Sequence, residues 1–511
     1  MSPQHDGLFL GLDIGTSGVK AILVAQSGQV EATALTPLTL QTPKPGWAEQ
    51  DPEAWWQATI ISIRALLVKL PNAHVASIGI SGQMHSSVFL DCTGEVIRPA
   101  LLWCDGRTTA QCAEITRLAG GEGKLRDWVR NPAVEGFTLP KVLWLRDEEP
   151  QAFERLSKVL LAKDFIRFRL TGAVATEPSD ASGTLMFDPA RMRWSDNILK
   201  AVGISSDLLP DVGWSSEVLG HVSAAAASIT GLAQGTPVVG GGADNACGAA
   251  GVGTVTPGEA VASWGTSGTV LAPTAQPLVD PGLRAHTFCH VTQGVWYLMG
   301  VVLSAGGAFS WYKDNFAREL TDNEQSLRVL DDEAERIAPG AEGVTFLPYL
   351  QGERTPHRDA SARGAFLGLS LAHTRAHLTR AVLEGVCFAL NDSLSILKEL
   401  GLSPHHLLLT GGGSKSALIR RLQSEIFGVP VTTVNREEGP AYGAALLAAV
   451  GAGAFPDIVT AAQSTLIRSP LQHPSPIATA EYQHHYARFR NLYPSAVAMN
   501  CQPAPTVCAS R

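Results

Sequence analysis

Apolar residues fall in short runs that end in glycine, serine or threonine. Leu8-Phe9-Leu10-Gly11-Leu12 closes on Asp13, Ile14-Gly15-Thr16-Ser17-Gly18 follows, and a second run extends from Val19 to Ala25. This pattern predicts a hairpin with a glycine-rich turn and a carboxylate at the end of its first strand. Asp51-Pro52-Glu53 reads as N-cap, N1 proline and first-turn acid of a helix reaching Leu70, where Pro71-Asn72 stops it. Strands are predicted at Val75 to Ile80 and Ser86 to Leu90, with Cys92-Thr93-Gly94-Glu95 as a turn. Leu378, Val382, Val386, Leu390, Leu394 and Leu397 keep helical spacing, with Thr374 as cap and Gly401 as stop. A helix apolar on so much of its surface belongs in a core. Leu407 to Thr410 predicts a short strand entering Gly411-Gly412-Gly413-Ser414, and Pro494 to Arg511 reads as a frayed, aperiodic tail.

The opening pattern recurs. Pro237-Val238-Val239 leads into Gly240-Gly241-Gly242-Ala243-Asp244-Asn245, and Glu259 to Trp264 leads into Gly265-Thr266-Ser267-Gly268-Thr269. Gly-Thr-Ser-Gly thus appears at 15–18 and 265–268, each time after a β-type run, which predicts duplicated α/β domains. Gly294 to Trp311 is 18 residues without a charge. Its break at Ser304-Ala305-Gly306-Gly307 favours a buried strand running into a helix over a membrane span.

At 511 residues the chain is long enough for about two to four domains. Hydrophobic residues at 45% against 17% charged exclude intrinsic disorder. Lys+Arg 39 against Asp+Glu 47 gives a net charge of −8, so no basic surface suggests nucleic acid. The start has neither a basic n-region nor a long apolar stretch, so secretion is not expected. Cys92, Cys104, Cys112, Cys247, Cys289, Cys387, Cys501 and Cys508 are scattered without a CxxC pair, which predicts reduced thiols in the cytoplasm. His286, Cys289 and His290 lack a second ligand cluster and read as structural.

A P-loop and a G-x-G-x-x-G fingerprint are both absent. His357-Arg358-Asp359 opens like a protein-kinase catalytic loop but lacks the asparagine five residues on and a V-A-I-K lysine. What remains is a set of Gly/Ser/Thr turns leaving strands, where backbone N–H groups and hydroxyls can meet phosphate oxygens. Asp13 is suited to Mg²⁺, directly or through water. Asp244, after three glycines, can project as a carboxylate. Alone, Asp13 reads as a hairpin-turn acid and Asp244 as an N-cap; glycine turns beside both, in two halves, favour ligand chemistry.

Asp13 to Lys20 is similar to the first phosphate motif of carbohydrate kinases in the actin, heat-shock-protein-70 and hexokinase superfamily. Gly136 to Glu148, GFTLPKVLWLRDE, and Gly364 to Glu384, GAFLGLSLAHTRAHLTRAVLE, resemble the two signatures of the FGGY carbohydrate kinases. The resemblance runs from about residue 8 to about 490. Within the family, Trp47 to Trp56, Gly82-Gln83-Met84-His85, Trp103-Cys104-Asp105-Gly106-Arg107, Gly242 to Asn245 and Gly352 to Pro356 are most similar to members acting on the ketopentose D-xylulose. Ala243 and Cys104 stand where relatives often have glycine and asparagine.

The resemblance implies two RNase-H-like (actin/hexokinase-type) α/β domains with a cleft between them: a sugar-binding domain over 1–242, an ATP-binding domain over 243–490, and a flexible tail over 491–511. It implies transfer of phosphate from ATP to D-xylulose with Mg²⁺, and Asp244 as base with Asp13 beside it. Met84 and His85 would contact the sugar, with Gln83, Trp103, Asp105 and Asn245 as neighbours; Trp103 also reads as a core or cleft-wall aromatic. Thr16, Ser17 and Lys20 would serve the phosphates from the first turn, and Gly265, Thr266, Ser267 and Gly306 from the second half. Gly412, Gly413 and Ser416 would lie on the nucleoside side. The partners expected are sugar and ATP, with a homodimer allowed and neither nucleic acid nor membrane. Alternatives are an FGGY kinase for another ketose or polyol, such as ribulose or glycerol, and an actin-fold ATPase that is not a kinase. A chaperone ATPase would need a further peptide-binding domain, for which the residues after 490 are too few, and a silent paralogue would have lost Asp13 or Asp244.

Overall fold

The first hairpin forms as its apolar alternation dictates. β1 (Leu8–Ile14) and β2 (Gly18–Val24) pair antiparallel through the Gly15-Thr16-Ser17 turn, and β3 (Val30–Pro37) extends the pair. The computed structural model describes residues 7–321 and 323–500. Cys501, Cys508 and the rest of the expected tail lie outside the described residues.

The described chain divides into two α/β units. The first gathers the chain up to Glu259 with residues 272–298 and 434–468. Its seven-stranded mixed sheet runs Val218–His221, Pro237–Val239, Val75–Gly82, β1, β2, β3, and the short strand Gly242–Ala243 also pairs with Val75–Gly82. Helix α1 (Pro52–Lys69), capped by Asp51 as predicted, packs on β2 and β3. The alanine-rich helix Pro440–Gly451 packs on β1 and Val75–Gly82. It sits so close that a Cβ on Gly11 would lie 2.0 Å from the Ala441 carbonyl oxygen, and one on Gly79 1.9 Å from that of Ala444. Helix Asp244–Gly251 packs on this same helix, and the leading stretch of this unit runs to Glu259.

The second unit gathers residues 260–271, 299–433 and the chain from Ser469. It is built on a six-stranded sheet in which Trp296–Val302, Gly268–Thr274, Ala260–Trp264, Leu407–Thr410 and Val431–Thr432 follow one another. Ala260–Trp264 pairs antiparallel with Gly268–Thr274 across the second Gly-Thr-Ser-Gly turn and parallel with Leu407–Thr410. Strand β1 has the same two relations, to β2 and to Val75–Gly82. The duplicated turn therefore marks a duplicated plan. The uncharged stretch from Gly294 divides into strand Trp296–Val302 and helix Gly306–Phe316, and no helix among the described residues is long and apolar enough to cross a membrane.

Helix Arg375–Glu399 is buried along most of its length, as its spacing predicts. It also buries Arg380, Glu384 and Asp392, which the sequence pattern did not single out. The C-terminal helix Pro476–Asn500 answers them: Tyr482 donates to Glu384 (2.9 Å) and Tyr486 to Asp392 (2.5 Å). This helix contains Pro494, so residues 491–500, read above as part of a tail, are helical.

Candidate active site

Parallel pairing brings three chain segments out at one sheet edge. Asp13 stands opposite Ser81, and Gly82 opposite both Ile14 and Ala243. Asp13, Gln83-Met84-His85 and Asp244 therefore leave together at the carboxyl ends of their strands, where α/β sheets bind ligands. Asp244 Oδ1 accepts from the Asn245 amide (2.7 Å) and from Asn245 Nδ2 (3.0 Å). Asn245 Nδ2 also reaches Met84 Sδ at 3.7 Å, and Tyr297 OH meets that sulfur at 3.9 Å.

Burial lifts Asp244 to about 6, against the hydrogen bonds it receives from Asn245 and the Met84 amide. Burial, then the charge of Asp244, lifts Asp13 to about 7, while Lys20 across the hairpin pulls the other way. Asp13 Oδ1 is buried without a hydrogen-bond partner among the described residues. Two carboxyls that repel each other, one with an orphaned oxygen, suit a hard cation with oxygen ligands.

His85 is buried and has φ 68°. Its Nδ1 lies 2.6 Å from the Gly183 carbonyl oxygen and so carries the proton, and its ring stacks on Phe137 at 4.5 Å. Thr16, expected on the phosphate side, spends its hydroxyl locally: it donates to Gln83 Oε1 (2.9 Å) and accepts from Trp103 Nε1 (2.9 Å). Gln50 Nε2 donates to the Thr16 carbonyl at 2.7 Å, while Ser17 is exposed at the turn. Asp105 has its own set of partners. Its oxygens take Arg107 (2.7 Å at Nη2) and the Ala48 amide (2.6 Å), and the Arg107 guanidinium lies 3.5 Å over Trp47.

Sequence reasoning missed the frame behind Asp244. Ser179 Oγ accepts from the Ala243 amide (3.0 Å) and donates to Glu177 (2.8 Å), while Arg167 donates to the Gly240 carbonyl (2.8 Å). Lys163, Asp164, Arg167, Glu177 and Asp180 are all fully buried there. The available signal was Lys163-Asp164 inside the apolar run Leu160 to Ile166, and Lys141 inside Leu139 to Leu145.

In the second unit, Gly265, Thr266, Gly306, Gly412 and Gly413 line one cavity of about 420 Å³ with Trp264, Phe309 and Ile419 among its walls. The Gly265 and Thr266 carbonyls accept from the amides of Gly306 (2.8 Å) and Gly307 (2.9 Å), which pins the start of helix Gly306–Phe316 to the turn. Apolar walls with glycine turns suit a nucleotide. Ser267 belongs to the same turn; Ser416 caps helix Ala417–Phe427 by accepting from the Ile419 amide (3.0 Å).

The family model for the N-terminal domain of FGGY carbohydrate kinases matches residues 8–251, and that for the C-terminal domain matches 260–452. The xylulose kinase of Bacillus subtilis (strain 168) is 40% identical over 494 residues, covering 96% of this chain and 97% of the relative. That of Escherichia coli (strain K12) is 40% identical over 490 residues, covering 95% and 98%. A crystal structure described as a xyloylose kinase from Brucella ovis superposes with a TM-score of 0.89 at 37% identity, over 96% of this chain and 100% of that one. The two domain models in order, with the motifs each contains, show that this chain belongs to the FGGY family of carbohydrate kinases.

Proposed function

We propose that this chain transfers the γ-phosphoryl group of ATP to D-xylulose, releasing ADP and D-xylulose 5-phosphate in the cytoplasm. The placement of Asp244 carries the reading: a carboxylate with a pKa of about 6, beside Met84 and His85, is ionised at neutral pH and able to take a hydroxyl proton. The substrate is that of the similar enzymes, and cysteines scattered without a CxxC pair fit a reducing compartment.

Asn245 holds Asp244 Oδ1 and fixes the carboxylate that takes the proton as the sugar oxygen attacks phosphorus. With Nδ1–H given to Gly183, His85 offers Nε2 as an acceptor for a sugar hydroxyl. Asp13, with its orphaned buried oxygen, is the residue to hold Mg²⁺. Bound there, the ion would neutralise charge on phosphate oxygens. The glycines of the second unit's cavity would let the nucleotide approach the backbone closely.

A coupled ADP-release assay over D-xylulose, L-ribulose, L-xylulose, D-ribulose and glycerol tests the reading. D-xylulose should exceed the others in kcat/KM by at least about tenfold. A higher value for another sugar would move the substrate within the family, and no ADP release with any of them would overturn kinase activity on this panel.

A further inference from the structure

The first FGGY signature contributes no group to the chemistry above, yet it grips His85 from three directions. We infer that Lys141 is a positioning residue for the sugar, acting through His85. This rests on the reading of His85 as a sugar contact.

Lys141 lies in the first turn of helix Thr138–Glu148 and is fully buried. Both facts make a cation unfavourable there: a helix N-terminus repels positive charge, and burial removes its water. Its ammonium donates to the His85 carbonyl at 2.9 Å and to the Gly136 carbonyl at 2.6 Å. Thr138 Oγ1 donates to the same His85 carbonyl at 3.2 Å, and the Phe137 ring covers the imidazole. Phe137, Thr138 and Lys141 of one signature thus hold both backbone and ring of His85.

His85 needs such a grip because φ 68° is a conformation that residues with a Cβ rarely adopt. Such geometry persists only where the surroundings over-determine it. The ring is fixed from the far side as well. Gly183 accepts from Nδ1, and a Cβ on Gly183 would lie 2.8 Å from that ring and 2.9 Å from Met84 Cε. Removing the ammonium releases the carbonyl and lets the backbone relax toward ordinary φ. That swings the imidazole away from where it meets sugar.

The test is a double-mutant cycle on the wild-type enzyme's preferred sugar, chosen from the panel above, so a wrong sugar assignment would show in the wild type first. Lys141→Met should raise the sugar KM by at least about tenfold and leave the ATP KM within about twofold. In a His85→Ala background the same substitution should raise the sugar KM no further, because no imidazole is left to misplace. If the two effects multiply instead, Lys141 acts elsewhere and the inference falls. It falls equally if Lys141→Met changes both KM values together, as general loosening would. Should Lys141→Met fail to fold, Thr138→Val runs the same cycle with a smaller effect, and the same criteria decide.

Discussion

A sugar hydroxyl attacks poorly while it keeps its proton, so Asp244, as the proposed base, has to be ionised when the new O–P bond forms. Asp244→Asn nearly preserves size and removes the acceptor, so kcat should fall by at least about two orders of magnitude. Sugar binding by calorimetry should stay within a few fold, since the loss belongs to the transition state. The same group sets a pH limb. With its pKa lifted to about 6, kcat/KM should fall about tenfold per unit as pH drops below that value. A flat profile down to pH about 5, or near-normal turnover in the variant, would remove Asp244 from the role. Asp13→Asn should instead raise the magnesium needed for half-maximal rate, because its orphaned oxygen faces the repelling charge of Asp244. An unchanged kcat at every magnesium concentration would detach Asp13 from the reaction. These residues were legible because each leaves a strand beside a glycine-rich or strand-end segment, a local pattern. Lys141 and Ser179 were not, since their partners are backbone atoms 56 and 64 residues away in the chain. Asp105, placed near the sugar by the family motif, is held by Arg107 two residues on, a partner that the local sequence does show.

Elements show the same division between local and distant causes. Helix Arg375–Glu399 was readable from its periodicity, whereas the polar residues it buries make sense only once Tyr482 and Tyr486 arrive from the C-terminal helix. Pro494 suggested an end to order; instead Tyr493, one residue earlier, donates to Asp359 (2.7 Å) and stacks on His357 at 3.6 Å. Those contacts follow directly on the Gly352 to Pro356 segment, which carries the buried carboxyl of Glu353. Glu353 accepts from the amides of His357 (2.7 Å) and Arg358 (3.2 Å), and its other oxygen is buried without a hydrogen-bond partner. Burial, with Asp392 adding to it, lifts Glu353 from 4.5 to about 8. The folded chain therefore holds a proton there that the unfolded chain releases above 4.5. Stability from this group is fully present below the unfolded value and is lost as pH rises towards the folded one. Glu353→Gln keeps an acceptor without a proton to lose. Between pH about 5 and about 9 the wild-type Tm should drop further than the variant's, by at least about 2–4 °C, the shift expected from one kcal/mol in a domain of this size. Parallel pH dependences in a thermal denaturation series would show that Glu353 is already ionised in the folded chain.

For the molecule as a whole, the duplicated Gly-Thr-Ser-Gly turn predicted two α/β units correctly, because each turn joins a strand pair whose geometry is local. It gave no hint that residues 434–468 belong to the first unit. That membership depends on Gly11 and Gly79 admitting a helix more than 350 positions later, which no window of sequence reveals. The proposed sugar set, Met84, His85, Asp244 and Asn245, belongs to the first unit, and the glycine-lined cavity proposed for the nucleotide belongs to the second. Ligand effects on the stability of the whole chain should then be separable. A ligand that binds only the folded state stabilises by RT ln(1 + [L]/Kd), about 2.7 kcal/mol at a hundredfold excess over Kd. Gly306→Ala tests the separation, since the added Cβ would sit 2.6 Å from the Gly265 carbonyl oxygen, the acceptor of the Gly306 amide. The turn and the helix start must part, and nucleotide affinity should fall at least about tenfold, cutting nucleotide-induced stabilisation by about 1.4 kcal/mol at saturating ligand. The rise in Tm produced by D-xylulose alone should be unchanged, because the proposed sugar set belongs to the other unit. If the sugar-induced shift fell by a similar amount, or the nucleotide-induced shift stayed whole, the assignment of the two ligands to the two units would be wrong.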